Sequence, residues 1–396
     1  MKQKSLSLVF LFVTLIHSGI SYAQDSSTVF KAKIAIFAPL YLDSAYDATG
    51  NYKFGSSLPR TIIPGLEFYE GVQLALDSLA GEKAPLDIFV FDTRASGKTL
   101  KQQLEEARSD SVQLIIAYVS TVTELQHMAF SSQEMKVPFI NVNLPNDGGV
   151  YDNPYLVLLN ATLRTHVETI YRYIQKYYPL DDLIVFRKKG QFEDLIHSYF
   201  DEAGKSTLGV PLKLKYVNLA DSFSLNQLTS ALDSNRHSLC ISGSLDENFS
   251  KRMAQQLATV SSQYPLTLMG MPTFENIASV FTGTEYKGLE VIYSTSYYNP
   301  RTDTVSKKII NWFNIKMFSQ PGDMAMRGYE ATWRFINLLL RFKKDIAANI
   351  SRNEFSLFRE LDIQPVLNKK NLSLDYFENK KLFFIKMQNG LIKEVN

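Results

Sequence analysis

The stretch that decides the predicted fold begins with KIAIFAPL at residues 33–40 and ends with VPFINVNLP at residues 137–145. Within it, four continuous apolar runs alternate with three segments that read as helices. Continuous apolar runs are typical of strands buried in a parallel sheet. In order, the predicted elements are strand Lys33–Leu40, helix Leu66–Ala80, strand Leu86–Phe91, helix Lys98–Arg108, strand Val112–Ala117, helix Val122–Gln133 and strand Val137–Val142. This order predicts right-handed crossovers and a doubly wound parallel sheet.

The composition gives no indication of a strongly charged partner. The chain has 396 residues, enough for two domains or one large one, and 45% of them are apolar. Lys and Arg number 42 against 40 Asp and Glu, so the net charge does not suggest binding to nucleic acid or to an anionic membrane. Cys240 is the only cysteine, which excludes an intramolecular disulfide.

Residues 1–23 read as a cleaved signal peptide. Lys2 and Lys4 precede the apolar run Leu6–Ile16, and Ser21-Tyr22-Ala23 has the small-x-small pattern of a cleavage site. The apolar run is shorter than the roughly 20 residues of a membrane span. No cysteine follows it, so a lipoprotein is not expected. We therefore predict a periplasmic or secreted protein whose mature chain has no membrane span.

A second alternation of strands and helices follows. Its predicted strands are Val157–Leu159, Leu183–Phe186, Leu212–Val217, Leu239–Ser242 and Leu266–Met269, and a return near Leu289–Ser296 would lead back to the first part of the chain. The predicted helices are Leu163–Tyr177, Phe192–Gly204, Leu225–Asp233, Glu247–Val260, Val305–Phe318 and Met324–Lys344. Near the C-terminus, Gln388-Asn389-Gly390 separates the apolar runs Leu382–Met387 and Leu391–Val395, which predicts a β-hairpin.

Five segments carry a resemblance to a known family. In order and spacing, IAIFAPL, PGLEFYEGVQLALDSL, LDIFVFDTRAS, VQLIIAYVST and VPFINVNLP resemble a type I periplasmic binding protein, in the style of the subunits for branched-chain amino acid transport. The resemblance implies two α/β lobes of doubly wound parallel sheet, joined by a multi-strand hinge. We expect residues 33–145 and about 296–345 to form lobe 1, and residues 146–295 to form lobe 2. Residues 346–396 would form a hinge crossing and the C-terminal hairpin.

The sequence shows no recognisable catalytic, cofactor or metal motif. Gly97-Lys98-Thr99 lacks the glycine that a P-loop requires five positions earlier, because Asp92 stands there. The histidines are not spaced as metal ligands, and no G-x-S-x-G elbow is present. We therefore expect neither an enzyme nor a bound cofactor.

The connection from Tyr41 to Ile63 is unusually long for a strand-to-helix loop, since such loops ordinarily run 2–6 residues. It leaves the carboxyl end of a predicted parallel strand, where open α/β sheets bind ligands. We expect either a lid that orders on ligand capture or a passive surface insertion.

The resemblance assigns ligand contacts to strand ends in lobe 1. Tyr118 to Thr121 corresponds to the turn whose hydroxyl and backbone N–H groups hold a ligand carboxylate, with Ser120 and Thr121 as the hydroxyl donors. The alternative is that Ser120 or Thr121 only caps the following helix. Asn141 and Asn143 correspond to a second set of polar contacts, with a solvated loop as the alternative.

In lobe 2, the candidate ligand contacts are Arg187, Ser244, Thr273 and Phe274. Arg187 begins a run of three cations that would favour an anionic ligand, unless it lies in a surface turn. Amino-acid binders typically carry an acidic residue where Met271–Phe274 stands, which argues against a standard α-amino acid ligand.

Tyr41, Tyr118 and Phe274 would form aromatic walls suited to sugars, aromatic acids or peptide fragments. The chain is therefore interpreted as an exported protein that captures a small polar molecule between two lobes, for an ABC permease or an envelope receptor. The alternative is an envelope interaction module of the same fold, such as a regulator of cell-wall synthesis, whose partner is an envelope protein.

Overall fold

The computed structural model describes residues 30–55 and 57–395, so the predicted signal peptide lies outside the described residues. The strands are β1 Ala32–Ala38, β2 Leu86–Asp92, β3 Leu114–Ala117, β4 Phe139–Asn141, β5 Leu156–Leu158, β6 Asp182–Arg187, β7 Lys215–Asn218, β8 Ser238–Ser242, β9 Leu266–Gly270, β10 Glu290–Thr295, β11 Ile363–Leu367, β12 Leu374–Asn379, β13 Phe383–Gln388 and β14 Leu391–Val395. The α-helices are α1 Leu42–Ala45, α2 Ile63–Gly81, α3 Leu100–Ser109, α4 Val122–Met135, α5 Leu163–Tyr177, α6 Gln191–Ser206, α7 Leu225–Thr229, α8 Glu247–Val260, α9 Phe274–Ile277, α10 Thr304–Lys316 and α11 Asp323–Phe342.

In the part of the chain that the structure describes, five helices begin at a residue whose side chain accepts a backbone N–H of the first turn. These caps are Thr99, Thr121, Thr162, Asp246 and Asp303. Short polar side chains at this position satisfy amide donors that have no partner within the helix. Within the described residues, no helix has both the length and the apolar character that crossing a membrane requires.

The first sheet has the strand order β11-β12-β5-β4-β3-β1-β2. All neighbours are parallel except β11 and β12, which are antiparallel. Strand β1, which lies between β3 and β2, is fully buried from Ile34 to Ala38. Burial on both faces explains why its sequence is continuously apolar.

The second sheet has the order β14-β13-β10-β9-β8-β6-β7, in which β6 to β10 repeat the arrangement of β1 to β5. Here β10 and β13, and β13 and β14, are the antiparallel pairs. The predicted class, two doubly wound α/β sheets, is confirmed, with the difference that both sheets are mixed. The antiparallel strands come from the C-terminal segment, which contributes β11 and β12 to the first sheet and β13 and β14 to the second.

One strand lies in a different lobe from the one we predicted. We assigned residues 157–159 to lobe 2, but β5 pairs with β4 in the first sheet, with Val157 opposite Ile140. An entirely apolar strand fits the interior of either sheet, so its hydrophobicity does not determine which sheet it joins. The lobe boundaries themselves stay a prediction, with β5 moved to lobe 1.

Two glycines allow α2 and α11 to pack with their backbones in contact. A Cβ atom on Gly71 would lie 1.9 Å from the carbonyl oxygen of Ala325, and one on Gly328 would lie 2.3 Å from the carbonyl oxygen of Phe68. Neither position has room for a side chain. This contact fixes α11 against lobe 1 and sets the position of Arg327, the residue before Gly328.

The chain passes between the two lobes at residues 159–162, 296–303 and 380–382. A set of polar side chains joins these passages, and we refer to it as the crossing network: Thr162, Thr165, His166, Ser294, Ser296, Glu378 and Lys380. Glu378 Oε1 accepts the backbone N–H of Thr162 at 2.7 Å and its hydroxyl at 3.0 Å. Glu378 is 1% exposed, and Lys380 Nζ lies 2.5 Å from its other carboxylate oxygen.

The imidazole of His166 forms the second part of the crossing network. Its Nδ1 lies 2.8 Å from Ser294 Oγ and its Nε2 lies 3.3 Å from Ser296 Oγ. The Ser296 hydroxyl oxygen in turn accepts the backbone N–H of Ala161 at 2.9 Å. Buried polar groups that are satisfied in this way fix one geometry for the hinge.

Candidate functional site: the space between the lobes

The carboxylate of Asp92, at the end of β2, organises the start of the long connection after β1. It accepts the backbone N–H groups of Leu40, Tyr41 and Leu42 at 2.9, 3.2 and 2.9 Å. Tyr41 takes a left-handed conformation with φ 56°. The residue that excludes a P-loop therefore holds Tyr41 at the carboxyl edge of the first sheet.

The connection from Tyr41 to Ile63 is held in place by hydrogen bonds to a neighbouring loop. It contains α1, and Asp43 accepts the backbone N–H and the hydroxyl of Ser96 at 2.6 and 2.7 Å. These hydrogen bonds hold the pKa of Asp43 below its ordinary value. Whether the segment acts as a lid stays a prediction.

The turn at Ser120 and Thr121 is already occupied by a carboxylate of the chain itself. Glu124 Oε2 accepts the Ser120 backbone N–H at 2.9 Å, and Glu124 Oε1 lies 2.6 Å from an Arg94 nitrogen. Thr121 Oγ1 accepts the backbone N–H of Glu124 at 3.2 Å, so Thr121 is the helix cap. Glu124 thus stands where the resemblance places a ligand carboxylate.

Asn141 and Asn143 hold the neighbouring turn. Asn143 Oδ1 accepts the Val119 backbone N–H at 2.7 Å, and its Nδ2 donates to the Val119 carbonyl oxygen at 2.8 Å. Asn141 is fully buried and its Nδ2 donates to the Leu144 carbonyl oxygen at 2.8 Å. Both amides are therefore engaged in positioning the turn beside Tyr118.

Arg187 and Ser244 also have partners within their own lobe. The buried guanidinium of Arg187 forms an ion pair with Asp194 and lies 3.2 Å from His197 Nδ1. Ser244 is fully buried and donates its hydroxyl to Glu193 Oε1 at 2.5 Å. Among the described residues, no hydrogen bond or ion pair joins either side chain to lobe 1.

Phe274 differs most from its predicted role. The ring is fully buried, with its centroid 5.5 Å from that of Phe281, and it belongs to the core beneath the second sheet. The predicted aromatic wall is therefore corrected: Phe274 is a core residue, because α9 turns it inward. The hydroxyl of the neighbouring Thr273 is buried and has no hydrogen-bond partner among the described residues.

The structure instead brings together a charged pair that the sequence did not indicate. Glu275, which follows β9 in lobe 2, has Oε1 3.4 Å from an Arg327 nitrogen on α11 of lobe 1. Thr295 donates its hydroxyl to Glu275 Oε2 at 2.9 Å. The Arg327 guanidinium lies 4.5 Å from the ring centroid of Tyr297, a distance suited to a cation–π interaction.

The electrostatics of this pair indicate a narrow, partly desolvated space. The Glu275 side chain remains 38% exposed while Arg327 is 11% exposed. Desolvation raises the pKa of Glu275 above its ordinary value, and the nearby Arg327 charge opposes that shift. Burial and the nearby Tyr41 raise the pKa of Tyr118, whereas the Arg327 charge lowers it. Tyr41, Tyr118, Arg327 and Glu275 therefore share one electrostatic environment.

Two carboxyl groups on α11 and α2 have raised pKa values. Glu330, one turn along α11, is 5% exposed, and burial raises its pKa to about 7. Burial and the charge of Glu67 raise the pKa of Glu70, on α2, to about 7. A small cavity of about 20 Å³ lies beside the hinge and is lined by Tyr297, Arg327 and Glu330 among others.

One sequence signal could have identified part of this site. Arg327, Glu330 and Arg334 recur at spacings of three and four on α11, and Glu330 and Arg334 are buried. Charged side chains on the buried face of a helix require partners. Arg327 faces Glu275, whereas Glu330 accepts the Phe358 backbone N–H and Arg334 donates to the Arg352 carbonyl oxygen and the Ser356 hydroxyl. Within the described residues, no group of three or more His, Cys, Asp or Glu side chains is placed to hold a metal ion.

Comparison with known proteins identifies the fold. No protein-family model matches the chain, and no curated protein matches it either. Among solved structures, a branched-chain amino acid ABC transporter periplasmic ligand-binding protein from Burkholderia xenovorans is 14% identical, with a TM-score of 0.63 over 92% of this chain and 95% of that one.

Two further solved structures have descriptions that name leucine. An ABC transporter substrate-binding protein from Desulfitobacterium hafniense, in complex with Leu, is 12% identical over 92% of this chain and 100% of that one, with a TM-score of 0.56. A leucine-binding protein from Thermotoga maritima is 15% identical over 92% and 98%, with a TM-score of 0.52. The chain therefore has the type I periplasmic-binding-protein fold, as we predicted from its sequence.

Proposed function

We propose that this protein is an exported solute-binding protein that captures a small polar molecule between its two lobes. The observation that carries the proposal is the Arg327–Glu275 pair, because its members belong to different lobes and meet at the carboxyl edges of the sheets. A ligand that carries both a hydrogen-bond acceptor and a donor replaces the 3.4 Å contact with one bond to each lobe. Such a ligand favours the closed arrangement because it binds both lobes together.

The surroundings of the pair define the chemical class of the ligand. Tyr297 supplies aromatic surface 4.5 Å from the Arg327 guanidinium, and the Arg327 charge also acts on Tyr118. Glu275 also restores the carboxylate that we expected to be missing after β9. A zwitterion or a polar aromatic molecule fits this combination, and solved relatives of the fold are described with Leu or isoleucine.

The proposed partners and location follow from the predicted signal peptide. Export would place the protein in the periplasm or outside the cell, where an ABC permease or an envelope receptor would receive the ligand. We propose no catalytic role and no cofactor for this protein.

A second function is favoured by one specific observation. Glu124 accepts the Ser120 backbone N–H before α4, Glu193 accepts the Ser244 hydroxyl, and Asp194 pairs with Arg187. Anion-binding groups that are already satisfied by the chain are typical of a cleft that no longer takes a ligand carboxylate. In that case the protein would be an envelope interaction module whose partner is another envelope protein.

The test is a screen of amino acids, sugars and aromatic acids by thermal shift, followed by calorimetry on each compound that stabilises the protein. A ligand at one hundred times its Kd should stabilise the native state by about 2.7 kcal/mol. Glu275→Gln and Arg327→Gln should each weaken binding about tenfold to a hundredfold, which corresponds to about 1.5–3 kcal/mol for a hydrogen bond to a charged group.

Arg341→Gln is the matched control, because Arg341 lies on the same helix, has a 58% exposed side chain and pairs with Glu354 instead of Glu275. Its affinity for the ligand should equal that of the unmodified protein. A ligand that binds all three variants equally would place the site elsewhere. A screen without any ligand, together with capture of one envelope protein, would establish the interaction module instead.

A further inference from the structure

A groove with a volume of about 1420 Å³ lies on the flank of lobe 2, away from the candidate site. Its lining comes from the outer face of α5, from residues 179–184 and from residues 206–215. The last two segments lead into β6 and β7, so the groove lies at the amino ends of these strands. The candidate ligand site lies at the carboxyl ends, at the other edge of the sheet.

Three aliphatic side chains protrude from the rim of this groove. Leu180, Leu208 and Val210 have relative exposures of 86%, 107% and 84%. The segment that carries Leu208 and Val210 is held in place, because Gln175 donates its side-chain amide to the Val210 carbonyl oxygen at 2.9 Å. The Leu212 backbone N–H also donates to the Tyr171 hydroxyl at 2.7 Å. The apolar side chains are therefore presented by an ordered loop.

Cations without acidic partners line the same groove. Lys176, Lys213 and Lys215 are exposed, and among the described residues none has a carboxylate within 4.0 Å. The other lining cations are paired: Arg172 with Glu168 at 3.8 Å, Arg236 with Asp182 at 3.1 Å and Lys369 with Glu202 at 2.9 Å. The groove therefore carries a local positive charge that the net charge of the chain, +2, does not reveal.

We propose that this face docks on a bilayer of anionic phospholipid. The protruding Leu180, Leu208 and Val210 would enter the acyl region while the unpaired lysines meet the lipid phosphates. Tyr177, which is 39% exposed with the Lys176 ammonium 4.6 Å from its ring centroid, adds an aromatic group beside a lining lysine. An acidic peptide would use the lysines, but it offers no hydrocarbon layer for three separate aliphatic tips.

The bilayer would then face the amino ends of the lobe 2 strands, and the ligand cleft would stay free of lipid. This inference does not depend on the proposed function, because both a solute-binding protein and an envelope interaction module gain from residence at a membrane surface.

The experiment is flotation of the purified protein with vesicles of equal parts phosphatidylglycerol and phosphatidylcholine, beside vesicles of phosphatidylcholine alone. The protein should float with the anionic vesicles only. Raising the salt to about 0.5 M should release it, because the attraction between lysines and lipid phosphates is then screened beyond a few ångströms. Lys213→Glu with Lys215→Glu should weaken the apparent Kd about thirtyfold or more. Leu208→Ser with Val210→Ser should also reduce binding, by removing the inserted groups.

Two control variants match these changes elsewhere on the molecule. Lys307→Glu with Lys308→Glu reverses two exposed cations on α10, and Phe318→Ser removes a side chain that is 92% exposed. Both controls should float as the unmodified protein does. Equal flotation with neutral vesicles, retention by a polyglutamate column without vesicle binding, or equal loss in the control variants would each overturn the proposal.

Discussion

Glu124 and Arg94 place a paired carboxylate at the amino end of helix α4. The Glu124 side chain is 11% exposed, accepts a backbone N–H and pairs with Arg94 at 2.6 Å. A helix N-terminus favours negative charge, and a carboxylate held there is stabilised by the local dipole. The turn we interpreted as a ligand contact is therefore already complete in the native chain.

We expect Glu124→Gln to lower the free energy of unfolding by about 1–3 kcal/mol, because Arg94 then loses its charged partner. Urea denaturation measures this change. Glu134→Gln is the control on the same helix, since the Glu134–Arg108 pair is 45% and 41% exposed. Exposed pairs contribute at most about 1 kcal/mol. Equal effects of the two substitutions would show that Glu124 behaves as an ordinary surface carboxylate.

His166 makes the stability of the protein depend on pH. Burial lowers the pKa of its imidazole from 6.5 to about 3, so the native state stays neutral where the unfolded chain takes up a proton. Between these two pKa values the unfolded state binds more protons, and stability therefore falls as the pH falls. Between pH 6.5 and pH 4.5 the loss due to this one group should be about 2–3 kcal/mol.

His166→Gln removes the titrating group, so the variant should lose about 2–3 kcal/mol less than the unmodified protein over the same pH interval. The comparison uses the difference between denaturation curves at the two pH values, which cancels any loss that is independent of pH. His127→Gln, at an exposed position on α4, should leave the difference unchanged. An unaltered pH dependence in His166→Gln would assign the acid sensitivity to other groups.

At the scale of the element, the contact between α2 and α11 depends on two positions without side chains. We expect Gly71→Ala and Gly328→Ala to destabilise the protein by more than about 2 kcal/mol each, because overpacking a close contact forces the backbones apart. Gly81→Ala, at the end of α2 with no atom within 4 Å of its would-be Cβ, should be neutral or slightly stabilising. Thermal unfolding of the three variants measures the effect. A much smaller loss of stability in Gly71→Ala would mean that α11 can shift away from α2 at little free-energy cost.

Local chemistry explains which elements were predictable from the sequence. The bounds of α8, Glu247–Val260, agree with the prediction because Asp246 caps it, and the hairpin at Asn389-Gly390 forms because both residues adopt positive φ, 51° and 76°. By contrast, the lobe to which β5 belongs depends on a pairing partner, and no residue within the strand specifies that partner. Local signals thus determine an element, and long-range pairing determines its neighbours.

The candidate site was less predictable for the same reason. Strand-end residues such as Tyr41, Tyr118 and Asn143 lie at the carboxyl edge of the first sheet, as the order of elements implies. Arg327 and Glu275 are 52 residues apart and meet only after the chain has returned through the hinge. Their proximity depends on the Gly328 contact and on the crossings, which no local pattern reveals.

At the scale of the whole molecule, the crossing network holds the two lobes in one relation. Glu378 belongs to β12 in lobe 1, whereas Thr162 begins α5, which packs in the core of lobe 2. Lys380 Nζ lies 2.8 Å from Thr165 Oγ1 and donates to it. The Glu378–Lys380 ion pair therefore contacts both Thr162 and Thr165 at the start of α5. The link between the lobes is polar and buried, which makes it sensitive to the loss of a single partner.

Glu378→Ala should therefore weaken the coupling between the lobes as well as the total stability. Removing one partner of a buried ion pair costs about 3–5 kcal/mol, and here the loss falls on the passages that join the two cores. We expect calorimetry to show a broadened or divided transition, with a calorimetric enthalpy that exceeds the van't Hoff enthalpy. Glu134→Gln is the control, because Glu134 pairs with Arg108 within lobe 1, outside the crossing network; it should leave the shape of the transition unchanged. A single sharp transition in Glu378→Ala, shifted only to lower temperature, would show that the lobes are coupled through their apolar contacts instead.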